Sequence, residues 1–147
     1  MELKIKGYDS LLTHKHNFEV VELNNVYWEF TLTRTLKKGD DIFINDKKVA
    51  LDYLDTFDLA KSSIIFSINY ALKDLNIHSC IEKKENKLII RTDKEVEFTE
   101  TIAWADCGFK KKKNYKMKNF FMLLDEQTGS KLVLEKEDIN KLCKLWK

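Results

Sequence analysis

The segment DLAKSSIIFSINYALKDL, residues 58–75, decides the fold because it is the clearest helix in the chain. Apolar residues recur along it every three or four positions from Ile64 to Leu72, which is the spacing of one helix face. Phe66 and Tyr70 widen this apolar surface. A stripe of this width predicts a helix that packs on a sheet and leaves little apolar surface to solvent.

Two strands are predicted ahead of this helix, near the start of the chain. Residues 18–23 and 26–35 are rich in β-branched and aromatic side chains, which favour strands. Asn24-Asn25 between them suits a two-residue hairpin turn because Asn tolerates positive φ. The pattern therefore predicts that these two strands pair with each other.

The second of these strands has one apolar and one polar face. Trp28 and Phe30 alternate with polar residues, so we expect their face to lie in the core. A further hairpin is predicted over residues 42–49, with Asn45-Asp46 at its turn.

The rest of the chain predicts more strands and a closing helix. The predicted strands cover residues 77–81, 87–92, 94–104, 119–124 and 131–134. An amphipathic C-terminal helix is predicted from about residue 136. Together these elements indicate an α+β fold in a single domain, residues 1–147, in which a mostly antiparallel sheet of about six to eight strands, built from a meander and hairpins, is packed by the central helix and the C-terminal helix.

Composition indicates a globular protein. The chain has 147 residues, of which 44% are hydrophobic and 34% are charged, enough for a real core and unlike a disordered chain. No apolar run approaches the ~20 residues that span a bilayer, and residues 1–6 alternate charged and aliphatic side chains. Cys80, Cys107 and Cys143 have no zinc-type spacing and are expected to be reduced thiols. We therefore expect a cytoplasmic protein.

The strongest charge feature is the basic segment, residues 110–118, which contains no acidic residue. Its lysines are Lys110, Lys111, Lys112, Lys113, Lys116 and Lys118, interleaved with Tyr115 and Met117. The whole chain has 26 basic and 24 acidic residues, so without these six lysines 20 basic residues remain against 24 acidic ones. An excess this local must be met by solvent, by nearby acids or by an anionic partner.

Two interpretations of the basic segment stay open at this point. Its lysines with Tyr115 could bind a phosphate backbone and stack on bases, as single-strand binders do. Alternatively, the segment is a solvated loop balanced by acids such as Glu95, Glu97 and Glu100. The binding interpretation requires that the lysines project outward and are not neutralised by the protein's own carboxylates.

Metal-binding residues can be suggested at two places. His14 and His16 are spaced for one side of an extended backbone, and Asp52, Asp55 and Asp58 repeat every third residue. The alternative for the aspartates is a solvated face whose acids complement the start of the helix. We expect no metal site and no cofactor, since no P-loop, Rossmann, HExxH or GxSxG motif occurs.

Three function hypotheses follow from these features. The first is a non-enzymatic protein that binds a larger protein or ribonucleoprotein. Examples are a phage- or mobile-element-encoded inhibitor of a host defence system, anti-CRISPR-like, and an immunity protein for a toxin. The second is a nucleic-acid-binding module that uses the basic segment. The third is a small metal-dependent phosphoesterase or nuclease. No membrane partner is expected.

Overall fold

A computed structural model describes residues 18–53, 56–101, 107–113, 120–125 and 129–135 of the chain. These residues form ten strands and one helix. The elements are β1 (Phe18–Glu22), β2 (Val26–Thr31), β3 (Ile42–Ile44), β4 (Lys47–Lys48), α1 (Phe57–Asp74), β5 (Ser79–Lys84), β6 (Lys87–Thr92), β7 (Phe98–Glu100), β8 (Gly108–Lys113), β9 (Phe120–Asp125) and β10 (Lys131–Glu135). Sheets and a helix of this kind belong to the predicted α+β class.

The chain divides into two compact units. The terminal unit combines residues 1–25 with residues 114–147, and the central unit is the continuous stretch 26–113. Whether these two units belong to a single domain is not decided by this division. The single domain over residues 1–147 stays a prediction.

The terminal unit contains a three-stranded sheet in the order β1-β9-β10, antiparallel throughout. Met122 on the middle strand pairs with Val21 on one side and Val133 on the other. Met122 and Leu123 are both buried, although neighbouring residues on a strand point to opposite faces. The strand predicted over residues 119–124 is confirmed as β9, and it is buried on both faces at this point.

The central unit contains a four-stranded antiparallel sheet in the order β5-β6-β2-β8. Trp28 and Phe30 on β2 are buried, as predicted for the apolar face of this strand. α1 packs on the same face, because Ile64 and Ile68 join Phe30 and Ile90 in one apolar cluster. We call this the inner face of the sheet, and the opposite one the outer face.

A second sheet in the central unit has the order β4-β3-β7. Its hairpin turns at Asn45 and Asp46, which have φ angles of 49° and 67°. Positive φ at both turn residues lets a two-residue loop match the twist of the strands. The hairpin predicted over residues 42–49 is confirmed.

The helix α1 matches its predicted range to within one residue at each end. The helix ends at Asp74, and Asn76, two residues further on, has a left-handed φ of 58°. The N–H of Ile77 donates to the carbonyl of Leu72 (2.9 Å), and the N–H of Asn76 donates to that of Lys73 (3.0 Å). This is the bond pattern of a Schellman motif, which satisfies carbonyls at the end of a helix.

Two predictions about strand pairing were wrong. β1 pairs with β9, and β2 pairs with β6 and β8, so the hairpin at Asn24-Asn25 does not form. Within the described backbone, neither asparagine has the positive φ that such a turn needs. The prediction of a single large sheet was also wrong, because β3 pairs with β7 and the described strands form three sheets.

Other expectations fall partly or wholly outside the described residues. The strand predicted over residues 94–104 is confirmed only for Phe98–Glu100. The predicted C-terminal amphipathic helix, from about residue 136, lies outside the described residues and stays a prediction. In the part of the chain that is described, no helix has both the length and the apolar character needed to cross a membrane.

Candidate interaction surfaces

The structure places the first four lysines of the basic segment on a strand. Lys110 to Lys113 form the C-terminal part of β8, which lies at the end of the order β5-β6-β2-β8. Tyr115, Lys116 and Lys118 lie outside the described residues. Among the described strands, this part of the segment lies at a sheet edge, and it is not a loop.

Phe109 fixes this strand to the core of the central unit. Its ring stacks on Phe98 with centroids 4.6 Å apart and lies 4.5 Å from the ring of Phe30. The ring of Trp28 meets both Phe98 and Phe109 edge-on. Such aromatic pairs contribute packing energy beyond simple burial. Phe109 therefore anchors the start of β8 in the core on the inner side of the sheet.

The pairing of β8 with β2 assigns its lysines to two faces. Lys110 lies opposite Glu29, and Lys112 lies opposite Tyr27, which places both lysines on the outer face. Lys111 lies opposite the buried Trp28 and therefore points to the other side, as does Lys113. A continuous run of four lysines is divided two and two by the strand geometry.

Glu29 neutralises part of the outer face. This carboxylate is buried to 8% exposure and lies 2.7 Å from the ammonium of Lys112 and 3.1 Å from that of Lys87. The Lys112 ammonium, by donating a hydrogen bond, holds the pKa of Glu29 below its ordinary value; burial opposes the shift and Lys87 adds to it. The same contact raises the pKa of Lys112.

Glu95 neutralises Lys111 on the other side of the strand, where the two side chains lie 2.8 Å apart. Hydrogen bonding to Lys111 lowers the pKa of the Glu95 carboxyl, and the reciprocal contact raises the pKa of Lys111. Both side chains are well exposed, at 64% for Glu95 and 41% for Lys111, so salt screens this pair and it stabilises the fold little.

The binding interpretation required lysines that are not neutralised by the protein's own carboxylates. Lys111 and Lys112 do not meet this requirement. Glu95 is one of the balancing acids proposed from the sequence, whereas Glu100 has a different role. The backbone N–H of Phe109 donates to the Glu100 carboxyl, and burial raises the pKa of this group. Among the described residues, Lys110 and Lys113 form no ion pair and keep the cationic character that the sequence predicted.

Of the suggested metal ligands, only Asp52 and Asp58 lie within the described residues. His14, His16 and Asp55 lie outside the described residues. Asp52 is exposed, and Asp58, in the first turn of α1, lies 3.5 Å from Lys61. No group of three or more His, Cys, Asp or Glu side chains that could hold a metal ion occurs within the described ranges.

Sequence analysis missed an exposed aromatic stripe on α1. Phe66 and Tyr70 are 72% and 67% exposed, and Leu59 is 57% exposed. At about 100° per residue these three positions fall within about 40° of one another on the helix. We call Leu59, Phe66 and Tyr70 the α1 stripe. The prediction that α1 leaves little apolar surface to solvent was wrong.

The signal for this stripe was present in the sequence. Ile64, Ile68 and Leu72 define the buried face. Tyr70 and Phe66 are each two residues from Ile68, hence about 200° away around the helix axis. Side chains so far from the centre of the buried face cannot pack on the same sheet, and they project into solvent.

A shallow groove of about 380 Å³ lies beside the α1 stripe. Phe66, Tyr70 and Ala71 line it from the helix, and Ala50 lines it from the segment that follows β4. Lys47 and Asp74 also line the groove and form an ion pair, with 2.7 Å between Nζ and Oδ2. The stripe and the groove together combine exposed apolar side chains with neighbouring charged ones, as protein interfaces do.

Comparisons with known proteins give no family for the chain. No protein-family model matches it, and neither curated proteins nor solved structures give a significant match. Function is therefore inferred from the two surfaces alone.

Proposed function

We propose that the protein is a small non-enzymatic binding protein that acts by occupying a surface of a larger protein or ribonucleoprotein. The observation that supports this is the α1 stripe, with Phe66 at 72% and Tyr70 at 67% exposure. Aromatic side chains are enriched at the centres of interfaces, where each contributes a large, rigid apolar area. The partner is a protein with an apolar cleft that receives these two rings.

The helical arrangement of the stripe fits this mode of binding. Residues 66 and 70 are one turn apart, and residue 59 is two turns before residue 66. Rows of anchors at such spacings are how amphipathic helices fill apolar grooves on their partners. Full burial of an exposed Phe side chain contributes roughly 1.5–3 kcal/mol, so two rings supply a substantial part of a specific affinity.

The finer assignment is an inhibitor of a host defence system from a phage or mobile element, anti-CRISPR-like, or an immunity protein for a toxin. Small binding domains with such an exposed anchor surface suit both roles, because each acts by covering a functional surface of another protein. Cys107 is a free cysteine, which is what a reducing compartment maintains, and we propose a cytoplasmic location on this basis.

Affinity capture from cells of the source organism tests the proposal. Tagged wild-type protein is compared with the double variant Phe66→Ser/Tyr70→Ser and with Val20→Thr. Val20 on β1 is also apolar and exposed, at 48%, but it is not part of the stripe. All three substituted side chains are exposed, so the variants are expected to fold.

The proposal predicts one stoichiometric protein that is recovered with wild type and with Val20→Thr and lost with the double variant. Native mass spectrometry of the eluates gives the stoichiometry. Recovery of the same partner with the double variant would remove the α1 stripe as the binding surface. Recovery of the bare protein alone, with wild type, would contradict the proposed function.

A further inference from the structure

We infer that the outer face of the four-stranded sheet is a separate binding surface for single-stranded nucleic acid. This goes beyond the proposed function, because α1 and its stripe lie on the inner side of the same sheet. The surface differs from the basic segment as the sequence defines it. It includes cations from β5 and β6 and excludes half of the described lysines of β8.

The strand register assembles this surface from residues far apart in sequence. On the outer face, the described strands carry five basic and two acidic side chains. The basic ones are Lys84, Lys87, Arg91, Lys110 and Lys112, and the acidic ones are Glu29 and Glu82. The face therefore has a net positive charge, with cations spread over three of its four strands.

The spacing of these cations suits a chain of phosphates. Neighbouring strands are about 4.8 Å apart, and same-face residues along one strand are about 6.7 Å apart. The route from Lys84 on β5 to Lys110 on β8 therefore crosses about 14 Å of sheet. A flexible backbone with one negative charge per nucleotide can follow such a row and release counterions at each contact.

A planar platform lies between these cations. The guanidinium of Arg91 lies 4.7 Å from the centre of the Tyr27 ring. Tyr27 is also the residue that pairs with Lys112 on β8. Stacked aromatic and guanidinium planes bind bases of any sequence, and the lysines around them meet the phosphates. An acidic protein offers charge but has no bases for this platform, so nucleic acid is the better fit.

A structural explanation for the lysines of β8 must also be considered. Lysines on an edge strand prevent pairing with another chain, and β8 lies at the edge of the described sheet. That explanation covers both faces of β8 equally. It does not cover Arg91, because β6 is an interior strand paired with β5 and β2. Lys87 on the same strand has a structural role of its own, since it forms an ion pair with Glu29. Edge protection and the ion pairs of Glu29 therefore do not account for the platform of Arg91 and Tyr27.

Two matched variants test the inference. Lys84→Gln/Lys110→Gln removes two outer-face charges, and neither lysine forms an ion pair within the described residues. Lys111→Gln/Lys113→Gln removes two charges from the opposite side of the same edge strand. Binding of labelled single-stranded DNA and RNA of about 15 nucleotides is followed by fluorescence anisotropy between about 50 and 200 mM salt.

The inference predicts that wild type binds at low salt and that the outer-face variant binds at least tenfold more weakly. Its log–log salt dependence should be shallower by about 1.4, the share of two phosphate contacts on a single strand. The Lys111/Lys113 variant and Phe66→Ser/Tyr70→Ser should bind within about twofold of wild type.

Three outcomes would overturn the inference. One is no binding by wild type at the lowest salt. Another is an equal loss in both lysine variants, which indicates unspecific charge attraction. The third is that polyglutamate competes as well as an unlabelled oligonucleotide, which assigns the face to acidic proteins. None of these affects the α1 stripe, whose test uses a protein partner, so the two failures are distinguishable.

Discussion

The ammonium of Lys112 lies 2.7 Å from one carboxylate oxygen of Glu29, and the ammonium of Lys87 lies 3.1 Å from the other. This arrangement ties three strands together, since Glu29 is on β2 between β6 and β8. It also explains how an acid on the outer face is buried to 8% exposure. Burying this carboxylate in its charged form would be costly without the two lysines that pair with it.

The first prediction concerns the strength of this arrangement. Glu29→Ala should lower the free energy of unfolding by about 1.5–3 kcal/mol, because it removes a charged acceptor from two donors in a mostly buried place. Glu95→Ala, which breaks only the exposed pair with Lys111, should have a much smaller effect, because solvent and salt screen that pair. Urea unfolding of both variants measures the difference, and equal losses would contradict this view of Glu29.

The second prediction is the pH dependence that follows from Glu29. Its pKa is lower in the folded protein than the ordinary value of 4.5, so folding favours the ionised form. The stabilisation is present above about pH 4.5 and is lost as pH falls through the lower, folded pKa. Glu29→Gln should therefore be less stable than wild type near neutral pH, and the gap should close in acid. Thermal melts of both proteins across this pH range test the prediction. A stability difference that grows as the pH falls would contradict it.

The third prediction concerns Glu100, where the sign is reversed. Burial raises the pKa of this carboxyl, so ionisation at neutral pH destabilises the fold, and stability from this group is lost as pH rises through the folded pKa. Glu100→Gln keeps an oxygen that can accept from the Phe109 N–H. It should raise the melting temperature at neutral pH and have little effect in acid. A lower melting temperature at neutral pH would show that the charge itself is needed.

The fourth prediction concerns Phe109 as the anchor of β8. Phe109→Ala should lower the free energy of unfolding by about 2–4 kcal/mol, because it removes the stack with Phe98 and leaves a cavity against Phe30. Lys113→Ala, on the same side of the strand but exposed, should change it by less than about 0.5 kcal/mol. Denaturant unfolding separates the two; similar small effects would mean that β8 is held by its hydrogen bonds alone.

The fifth prediction concerns Gly108 at the start of β8. It has a φ of 149°, and a Cβ added there would lie 2.6 Å from the Glu100 Oε1 atom. Gly108→Ala should therefore cost about 1–3 kcal/mol of stability. The double variant Gly108→Ala/Glu100→Ala removes the contact and keeps the backbone strain, so its further loss relative to Glu100→Ala measures strain alone. Wild-type stability in Gly108→Ala would refute both causes.

Local patterns in the sequence predicted local structure well. The helix α1, the strand that carries Trp28 and Phe30, and the turn at Asn45-Asp46 each follow from the spacing or turn chemistry of neighbouring residues. The pairing of β1 with β9 could not be predicted this way, because it joins segments about a hundred residues apart and no local signal records it.

Predicting the two surfaces from the sequence would have required the register of the strands and the orientation of the helix. The division of the lysines of β8 into two faces depends on which strand pairs with β8, and so does the contact of Lys112 with Glu29. The exposure of Phe66 was within reach of the sequence, since its angle from Ile68 places it outside the buried face. The number of apolar residues in α1, taken without their angles around the helix axis, predicted a buried helix instead.

The central claim, that the α1 stripe is the docking surface, is tested most directly by the dissociation constant of the captured partner. Isothermal titration calorimetry compares wild type with Phe66→Ser/Tyr70→Ser and with Lys110→Gln/Lys113→Gln. We predict that the stripe variant binds at least ~30-fold more weakly, the loss of about 2 kcal/mol that defines a hot spot, and that the lysine variant stays within about threefold. A partner that binds the stripe variant as tightly as wild type, and loses its affinity for the lysine variant, would contradict the claim.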